Sequence, residues 1–143
     1  MPANTDPTYT LTPDLSTNNG TGMPQPITAA AADYTGISAN YQLIHTAGAN
    51  GSYVRSIIAK ASGTNVAAVA RLFYNNAATP GTATNNSFIA EIGLPATTAS
   101  TTAATVEIEF PLEFAIKATH RLYVGLGAAV AAGWTFTVIS GQY

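Results

Sequence analysis

The sequence predicts an all-β fold built from two packed sheets. Short runs of alternating apolar and polar residues recur along the chain, and turn-forming residues separate them. No segment carries the 3.6-residue apolar stripe of an amphipathic helix. Several strands at hairpin spacing without helices between them are typical of a β-sandwich or barrel, and we expect the sandwich. The 143 residues suit one domain with its own core.

Residues 1–26 differ in composition from the rest of the chain. Proline recurs through them, and because proline fixes φ and lacks an N–H donor, they are expected to form neither a helix nor a central strand. We predict an extended N-terminal arm with apolar side chains at Tyr9, Leu11, Leu15 and Met23. Either its own domain or a partner chain holds such an arm, and the partner is favoured. The β-domain is predicted to span residues 27–143.

The first half of the domain contains three predicted strands. They are NYQLIHTA at 40–47, SYVRSIIAKA at 52–61 and VAAVARLFYN at 66–75. Asn50-Gly51 is a strong hairpin signal, and Ser62-Gly63-Thr64-Asn65 predicts that the second and third runs form one hairpin. In the second run, alternation places Tyr53, Arg55 and Ile57 on one face and Val54, Ser56 and Ile58 on the other.

The second half contains four more predicted strands. They are SFIAEIGL at 87–94, TVEIEFPLEF at 105–114, RLYVGLG at 121–127 and WTFTVISGQY at 134–143. The second of them alternates, with Val106, Ile108, Phe110 and Leu112 opposite Glu107, Glu109 and Glu113. Pro111 lies inside this run, and a proline there indicates an edge strand or a bulge.

Composition narrows the classes of function. Charged residues make up 8% of the chain, against about 25% in ordinary soluble domains. The surface is therefore expected either to contact other proteins or to rely on Asn, Thr, Ser and Gln for solubility. With a net charge of −2 and no basic cluster, no nucleic-acid partner is expected. No apolar run approaches the length of a membrane span and the start lacks a secretory signal pattern, so neither membrane insertion nor secretion is predicted.

Few residues suggest chemistry, and we predict neither an enzyme nor a cofactor nor a metal site. The chain has no cysteine, and His45 and His120 have no histidine or carboxylate near them in sequence. A calcium loop beginning at Asp14 would place its glycine one position late. Glu107 and Glu109 share a strand face as glycosidase carboxylates can, but a solvated sheet face opposite Arg55, Lys60 or Arg71 is the simpler interpretation.

Aromatic side chains leave an alternative open. They could form a platform on which sugars stack, although such rings more often fill a sandwich core with their hydroxyls at the rim. The candidates are Tyr34, Tyr41, Tyr53, Tyr74, Tyr123, Trp134 and Tyr143.

Several motifs between residue 48 and residue 143 resemble one known family. They are Gly51-Ser-Tyr-Val54, Val69-Ala-Arg71-Leu-Phe73, Glu91-Ile-Gly-Leu-Pro-Ala-Thr-Thr-Ala-Ser100, Arg121-Leu-Tyr-Val124, Gly133-Trp134 and Gly141-Gln-Tyr143. They are similar to motifs of small jelly-roll phage virion proteins, the capsid decoration or cement proteins. The resemblance implies a homotrimer on the outer surface of a phage head, clamping neighbouring major capsid subunits. Related domains in tail or head fibres, binding a host receptor or carbohydrate, are the alternative.

Two sets of contact residues are predicted. In the arm, Pro7, Tyr9, Leu11 and Leu15 are expected to dock into seams between capsid subunits. The neutral segment LPATTAS at 94–100 allows close approach of another backbone without burying a charge. Leu94, Pro95, Thr97 and Thr98 are therefore predicted to lie against a neighbouring subunit or the domain's own arm.

Overall fold

The fold is that of a computed structural model, which describes Thr10, the backbone of residues 12–16, and residues 23–143. The strands are β1 (Thr12–Ser16), β2 (Gln42–Thr46), β3 (Ser52–Ala61), β4 (Ala68–Asn75), β5 (Asn86–Leu94), β6 (Glu107–Ile116), β7 (Arg121–Leu126) and β8 (Trp134–Gln142). A short 3-10 turn, Ala83–Asn85, precedes β5. Within these described ranges no helix is long and apolar enough to cross a membrane.

The strands form two antiparallel four-stranded sheets. Sheet I has the order β1-β8-β3-β6 and sheet II the order β2-β7-β4-β5. The first described strand therefore pairs with the eighth, the second with the seventh, the third with the sixth and the fourth with the fifth. This is the strand arrangement of a jelly roll. The predicted all-β, two-sheet fold is confirmed.

The core lies between the sheets and is apolar. Strand alternation directs one row of side chains from each strand inward, where burial of each large side chain contributes about 1.5–3 kcal/mol. The largest of these fully buried apolar side chains are Trp134, Phe136, Ile44, Ile57, Leu72, Leu94, Ile116, Leu122 and Leu126.

The predicted hairpin of residues 52–61 and 66–75 is wrong. Both strands exist, but β3 belongs to sheet I and β4 to sheet II, so the intervening residues cross between the sheets. The hairpin indicated by Asn50-Gly51 is wrong as well, because this turn leads from β2 in sheet II to β3 in sheet I, with Gly51 at φ +91°. Turn residues set the local reversal of the chain, whereas the partner of each strand depends on the packing of the whole sandwich.

The predicted alternation in β3 holds only for its first half. The register of β3 against both neighbours shifts between Val54 and Ser56. Beyond this bulge, Ile57 is fully buried in the core while Ile58 is only partly buried. An extra residue in a strand moves every later side chain to the opposite face, and this reverses the predicted positions of these two isoleucines.

Pro111 lies in an edge strand and beside a bulge, as expected. Strand β6 forms one edge of sheet I, and Pro111 lies opposite Ser56, just past the register shift. Glu113 adopts φ +53° at this irregularity. The glutamates of β6 face outward, whereas Ile108, Phe110, Leu112, Phe114 and Ile116 face the core.

Part of the arm pairs with its own domain. The prediction had favoured a partner chain as the surface that holds the arm. Residues 12–16 form β1, which extends from Thr12 opposite Gln142 to Ser16 opposite Val138. The free edge of β8 offers unpaired backbone groups, and a short extended segment of the same chain satisfies them. Pro13 is compatible with this position because β1 is an edge strand.

Candidate functional site

The outer face of sheet II is covered by residues 28–41, which we call the cover loop. Before it, Ile27 exchanges backbone hydrogen bonds with Trp134. Within it, the Ala31 amide donates to the carbonyl of Leu126 at 2.6 Å. A second small cluster of buried side chains lies beneath the loop, separate from the main core, and consists of Ala31, Tyr41 and Phe73 with Tyr123 packed against them.

Gly125 allows the cover loop to lie directly on β7. A Cβ atom at this position would be 2.5 Å from the Tyr41 ring and 2.8 Å from Ala31. Those distances are shorter than van der Waals contact, so no side chain fits between strand and loop here.

Arg71 of β4 forms hydrogen bonds that hold the cover loop against sheet II. Its nearly buried guanidinium donates to Glu91 at 3.0 Å, to the carbonyl of Ala32 at 2.7 Å and to the Tyr34 hydroxyl at 2.8 Å. It also lies 4.0 Å from the centre of the Tyr34 ring. Burial lowers the pKa of Arg71, but hydrogen bonds to Glu91 and Tyr34 outweigh it and raise the pKa. The cation is thus a permanent anchor for the loop.

Asp33 organises the tip of the cover loop. Its Oδ1 accepts hydrogen bonds from the amide and hydroxyl of Thr35 and from the amides of Gly36 and Ile37. Partial burial raises the pKa of Asp33, but these hydrogen bonds outweigh it and lower the pKa below its usual value. The Tyr41 hydroxyl donates to the Asp33 carbonyl, and burial raises the pKa of Tyr41 to about 12.

Beside this loop lies a cleft of about 280 Å³. One wall is residues 36–39 of the cover loop, the other is the turn at Pro80 and Gly81, and Tyr41 and Tyr123 also line it. Asn86 ties the walls together, since its Nδ2 donates to Gly36 O at 3.2 Å and to Pro80 O at 2.7 Å.

Aromatic rings continue from the cleft across sheet II. Tyr41 and Phe73 meet edge to face at 4.8 Å between centroids, and Phe73 lies 5.4 Å from Phe88. Phe88 in turn meets Tyr34 edge to face at 5.5 Å. Tyr34, Ile37 and Phe88 are exposed. Sequence reasoning placed Tyr34, Tyr41 and Tyr123 among candidate platform residues but missed Phe73, Phe88 and Asn86; the alternation of Arg71 and Phe73 in β4 was the available signal.

The predicted capsid-contact residues fall largely outside the described part of the chain. Pro7, Tyr9 and Leu11 lie outside it, and Leu15 is described only as a backbone position of β1 opposite Ile139. Their proposed contacts therefore stay predictions.

The predicted subunit-contact residues divide into two pairs. Leu94 belongs to the core, and Thr97 is buried, with its hydroxyl donating to Gly63 O at 2.6 Å. Pro95 and Thr98 are exposed. The side chains of Leu94 and Thr97 are thus used inside the chain, and of the four predicted residues only Pro95 and Thr98 have exposed side chains.

Asn65 fixes this segment to two other loops. Its backbone exchanges hydrogen bonds with Thr97. Its side-chain Oδ1 accepts from the amides of Ala132 and Gly133, and its Nδ2 donates to the carbonyl of Gly133 at 3.0 Å.

The residues weighed for chemistry have structural partners. His45 Nε2 lies 2.6 Å from the Ser52 hydroxyl in the interior, and the His120 ring lies 5.2 Å from Tyr74. Glu109 accepts a hydrogen bond from Ser56, and Glu107 lies 3.9 Å from Lys60, one of its predicted counter-charges. Across the described residues, no three His, Asp or Glu side chains form a group that could hold a metal ion. Of the suggested calcium loop, residues 17–20 lie outside the described part.

Comparisons with known proteins returned no match: no family model, no curated protein and no solved structure matches the chain. The resemblance to phage decoration proteins accordingly depends on the motifs quoted for it.

Proposed function

We propose that the protein is a structural virion component, a capsid decoration protein that binds the outer surface of an assembled phage head as a homotrimer and stabilises it. The resemblance supplies the class of partner, the major capsid protein. The observation that carries the proposal is an incompletely covered side of the sandwich, which offers a surface for another copy.

This open side is formed by the edges of β5 and β6 and by residues 95–106 between them. On the opposite side, β1 and β2 contact each other across the sheets. On the open side, the inward-facing Ile108, Phe110, Leu112 and Phe114 stay only partly buried. Ile89 and Val106 are exposed nearby in the same two edge regions, at 40% and 37%. An apolar strip of this kind, beside a segment free of charge, favours a protein contact.

The mechanism is stabilisation by linkage. A protein that binds only the assembled shell adds its binding free energy to the stability of that shell. A trimer multiplies weak contacts, because the second and third subunits engage at high effective concentration. No catalytic group is needed for this role.

Self-association is the first test. Sedimentation equilibrium of the full chain should give a trimer, and the double variant Ala96→Glu, Thr98→Lys should sediment as a monomer with an unchanged melting temperature. Ala118→Glu is the matched control, since Ala118 is exposed and lies beyond the far end of β6. A monomeric wild-type chain, or a variant that stays trimeric, would contradict assembly through the open side.

Copy number tests the virion role. In purified particles of the phage that carries the gene, we expect copies comparable in number to the major capsid protein. A few copies per particle would instead indicate a fibre, and complete absence would refute the virion assignment.

A second candidate function is favoured by a specific observation. A fibre module that binds a host receptor or carbohydrate requires aromatic side chains gathered in one place. Sheet II carries such a group around Tyr34, Phe88 and the cleft lined by Tyr41 and Tyr123.

A further inference from the structure

We propose that the cleft between residues 36–39 and the Pro80-Gly81 turn binds a single uncharged sugar ring. The inference deepens the second candidate function by naming its site and ligand class. It does not require the protein to be a decoration protein, because the cleft lies on the outer face of sheet II and not on the open side.

The cleft is formed before any ligand arrives. Asn86 joins its walls, and Asn75 fixes the orientation of the Asn86 amide by donating to its Oδ1 at 2.8 Å. The Asp33 carboxylate holds the loop tip through its hydrogen bonds to residues 35–37. Because the loops that form the cleft are already ordered, binding costs less conformational entropy. Even a small ligand can therefore bind measurably.

The lining suits a ring with apolar faces and hydroxyl edges. Tyr41 and Tyr123 supply aromatic surface, and the partly buried Tyr123 ring is the more accessible of the two. Within the described part of the chain the Tyr123 hydroxyl makes no hydrogen bond, so it is available to a ligand. The Ser38 oxygen accepts from the Asn40 amide at 3.2 Å, which leaves the Ser38 O–H free to donate.

The residues that line the cleft carry no charge, and this disfavours a charged ligand. The lining consists of Gly36, Ile37, Ser38, Ala39, Tyr41, Pro80, Gly81 and Tyr123, with no acid, amine or guanidinium among them. An ionised ligand would lose hydration there without a counter-charge. The ligand class is therefore neutral, which separates hexoses from sugar phosphates and uronic acids.

The volume limits the ligand to one ring. Pockets for drug-sized molecules enclose about 300–1,000 Å³, and this cleft, at about 280 Å³, lies just below that range. The exposed side chain of Ile37 at the rim gives a following sugar residue an apolar surface. A single ring of about a dozen non-hydrogen atoms at ordinary ligand efficiency predicts a Kd of about 1 mM.

The test is NMR titration of the full chain with glucose, galactose and mannose, and with glucose 6-phosphate as the charged probe. We expect at least one neutral hexose to bind and to shift the resonances of Tyr123 and Gly81. Glucose 6-phosphate should bind at least about tenfold more weakly, because its charge has no partner in the cleft.

Gly81→Leu is the decisive variant. Gly81 lines the cleft and a Cβ there meets no atom within 4 Å, so a leucine is accommodated without strain, and its bulk at the cleft wall should abolish sugar binding. Gly93→Leu is the matched control, since its Cβ also meets nothing within 4 Å, and it should bind like wild type. Tyr123→Phe should keep the ring and weaken binding about threefold to tenfold through loss of the hydroxyl.

The outcomes separate the inference from its rivals. Absence of binding by all three hexoses, or binding that survives Gly81→Leu, overturns the site. Preferential binding of a proline-rich peptide that is lost in Gly81→Leu overturns the sugar in favour of a peptide. Self-association should be unchanged by Gly81→Leu, so failure of the sugar site and failure of the decoration role are measured separately.

Discussion

Gly125 is the residue that lets the cover loop lie on sheet II. Replacement by alanine places a methyl group against Tyr41 and Ala31, so we expect Gly125→Ala to lower the free energy of unfolding by about 1–3 kcal/mol. Urea denaturation measures the change. Gly93→Ala controls for the propensity of alanine in a strand, because its Cβ meets nothing. Equal effects of the two substitutions would refute the close approach of the loop.

Asp33 makes the stability of the cover loop depend on pH. Because hydrogen bonds lower its pKa in the folded state, their stabilisation is complete above the unfolded value of about 3.8 and is lost as the pH falls through the folded value. At pH 7, Asp33→Ala should be less stable than wild type by about 1 kcal/mol.

The pH dependence of that difference is the informative measurement. As the pH falls from about 5 to below the unfolded value of about 3.8, the gap in unfolding free energy between wild type and Asp33→Ala should shrink. A gap that stays constant across this range would mean that the ionised carboxylate does not hold the loop.

Asn65 joins three loops at one end of the sandwich. Asn65→Ala leaves the buried amide of Gly133 and the amide of Ala132 without their acceptor, at a cost of about 2–4 kcal/mol. Thermal and urea unfolding measure this loss. Asn50→Ala serves as the control, because the exposed Asn50 side chain makes one long hydrogen bond of 3.4 Å, and its effect should stay within about 0.5 kcal/mol. Similar losses in both variants would contradict the role of Asn65.

At the scale of elements, β1 divides the arm into two parts. Residues 1–9 are expected to contact the capsid, and β1 covers the edge of β8. Deleting residues 1–9 leaves β1 intact, and it should abolish binding to phage heads if the arm contacts the capsid. Deleting residues 1–16 also removes β1 and exposes the edge of β8. We expect this longer deletion to lower the melting temperature and promote aggregation. Undiminished head binding after the shorter deletion would refute the contact role of Pro7 and Tyr9.

The positions of β2 to β8 were predictable because alternation is a local property, whereas β1 was predicted only as part of an extended arm. Residues 52–61 match β3, and Pro111 correctly indicated an edge and a bulge. The partner of β3 was not predictable, because the same alternation suits a hairpin and a crossing between sheets. The register shift of β3 at Arg55 was also not predictable, since a bulge leaves no sequence signal in an alternating pattern of this length.

The candidate site was only partly predictable for a related reason. The tyrosines were recognisable as aromatic candidates, but the cleft depends on the position of the cover loop over β7. That position is set by Gly125, Arg71 and Asn86, which lie far apart in sequence and act through contacts formed only in the folded chain.

At the scale of the whole molecule, the scarcity of charge has a measurable effect on association. A contact formed by neutral segments and apolar edges gains little from ion pairs, so the dissociation constant of the proposed trimer should change less than about threefold between low salt and about 0.5 M salt. Sedimentation equilibrium across this range measures it. A steep loss of association with salt would indicate instead that Glu107, Glu109 or Arg55 carries the contact.

The strand order also fixes the sequence of events during synthesis on the ribosome. All strands of sheet II have left the ribosome once residue 126 has emerged, whereas both β1 and β3 pair with β8, which ends at Gln142. Sheet I therefore cannot close until β8 has been synthesised and has left the ribosome. Until then the nascent chain presents an incomplete sheet, and the long sequence separation of β1 and β8 places the protein among slowly folding β topologies.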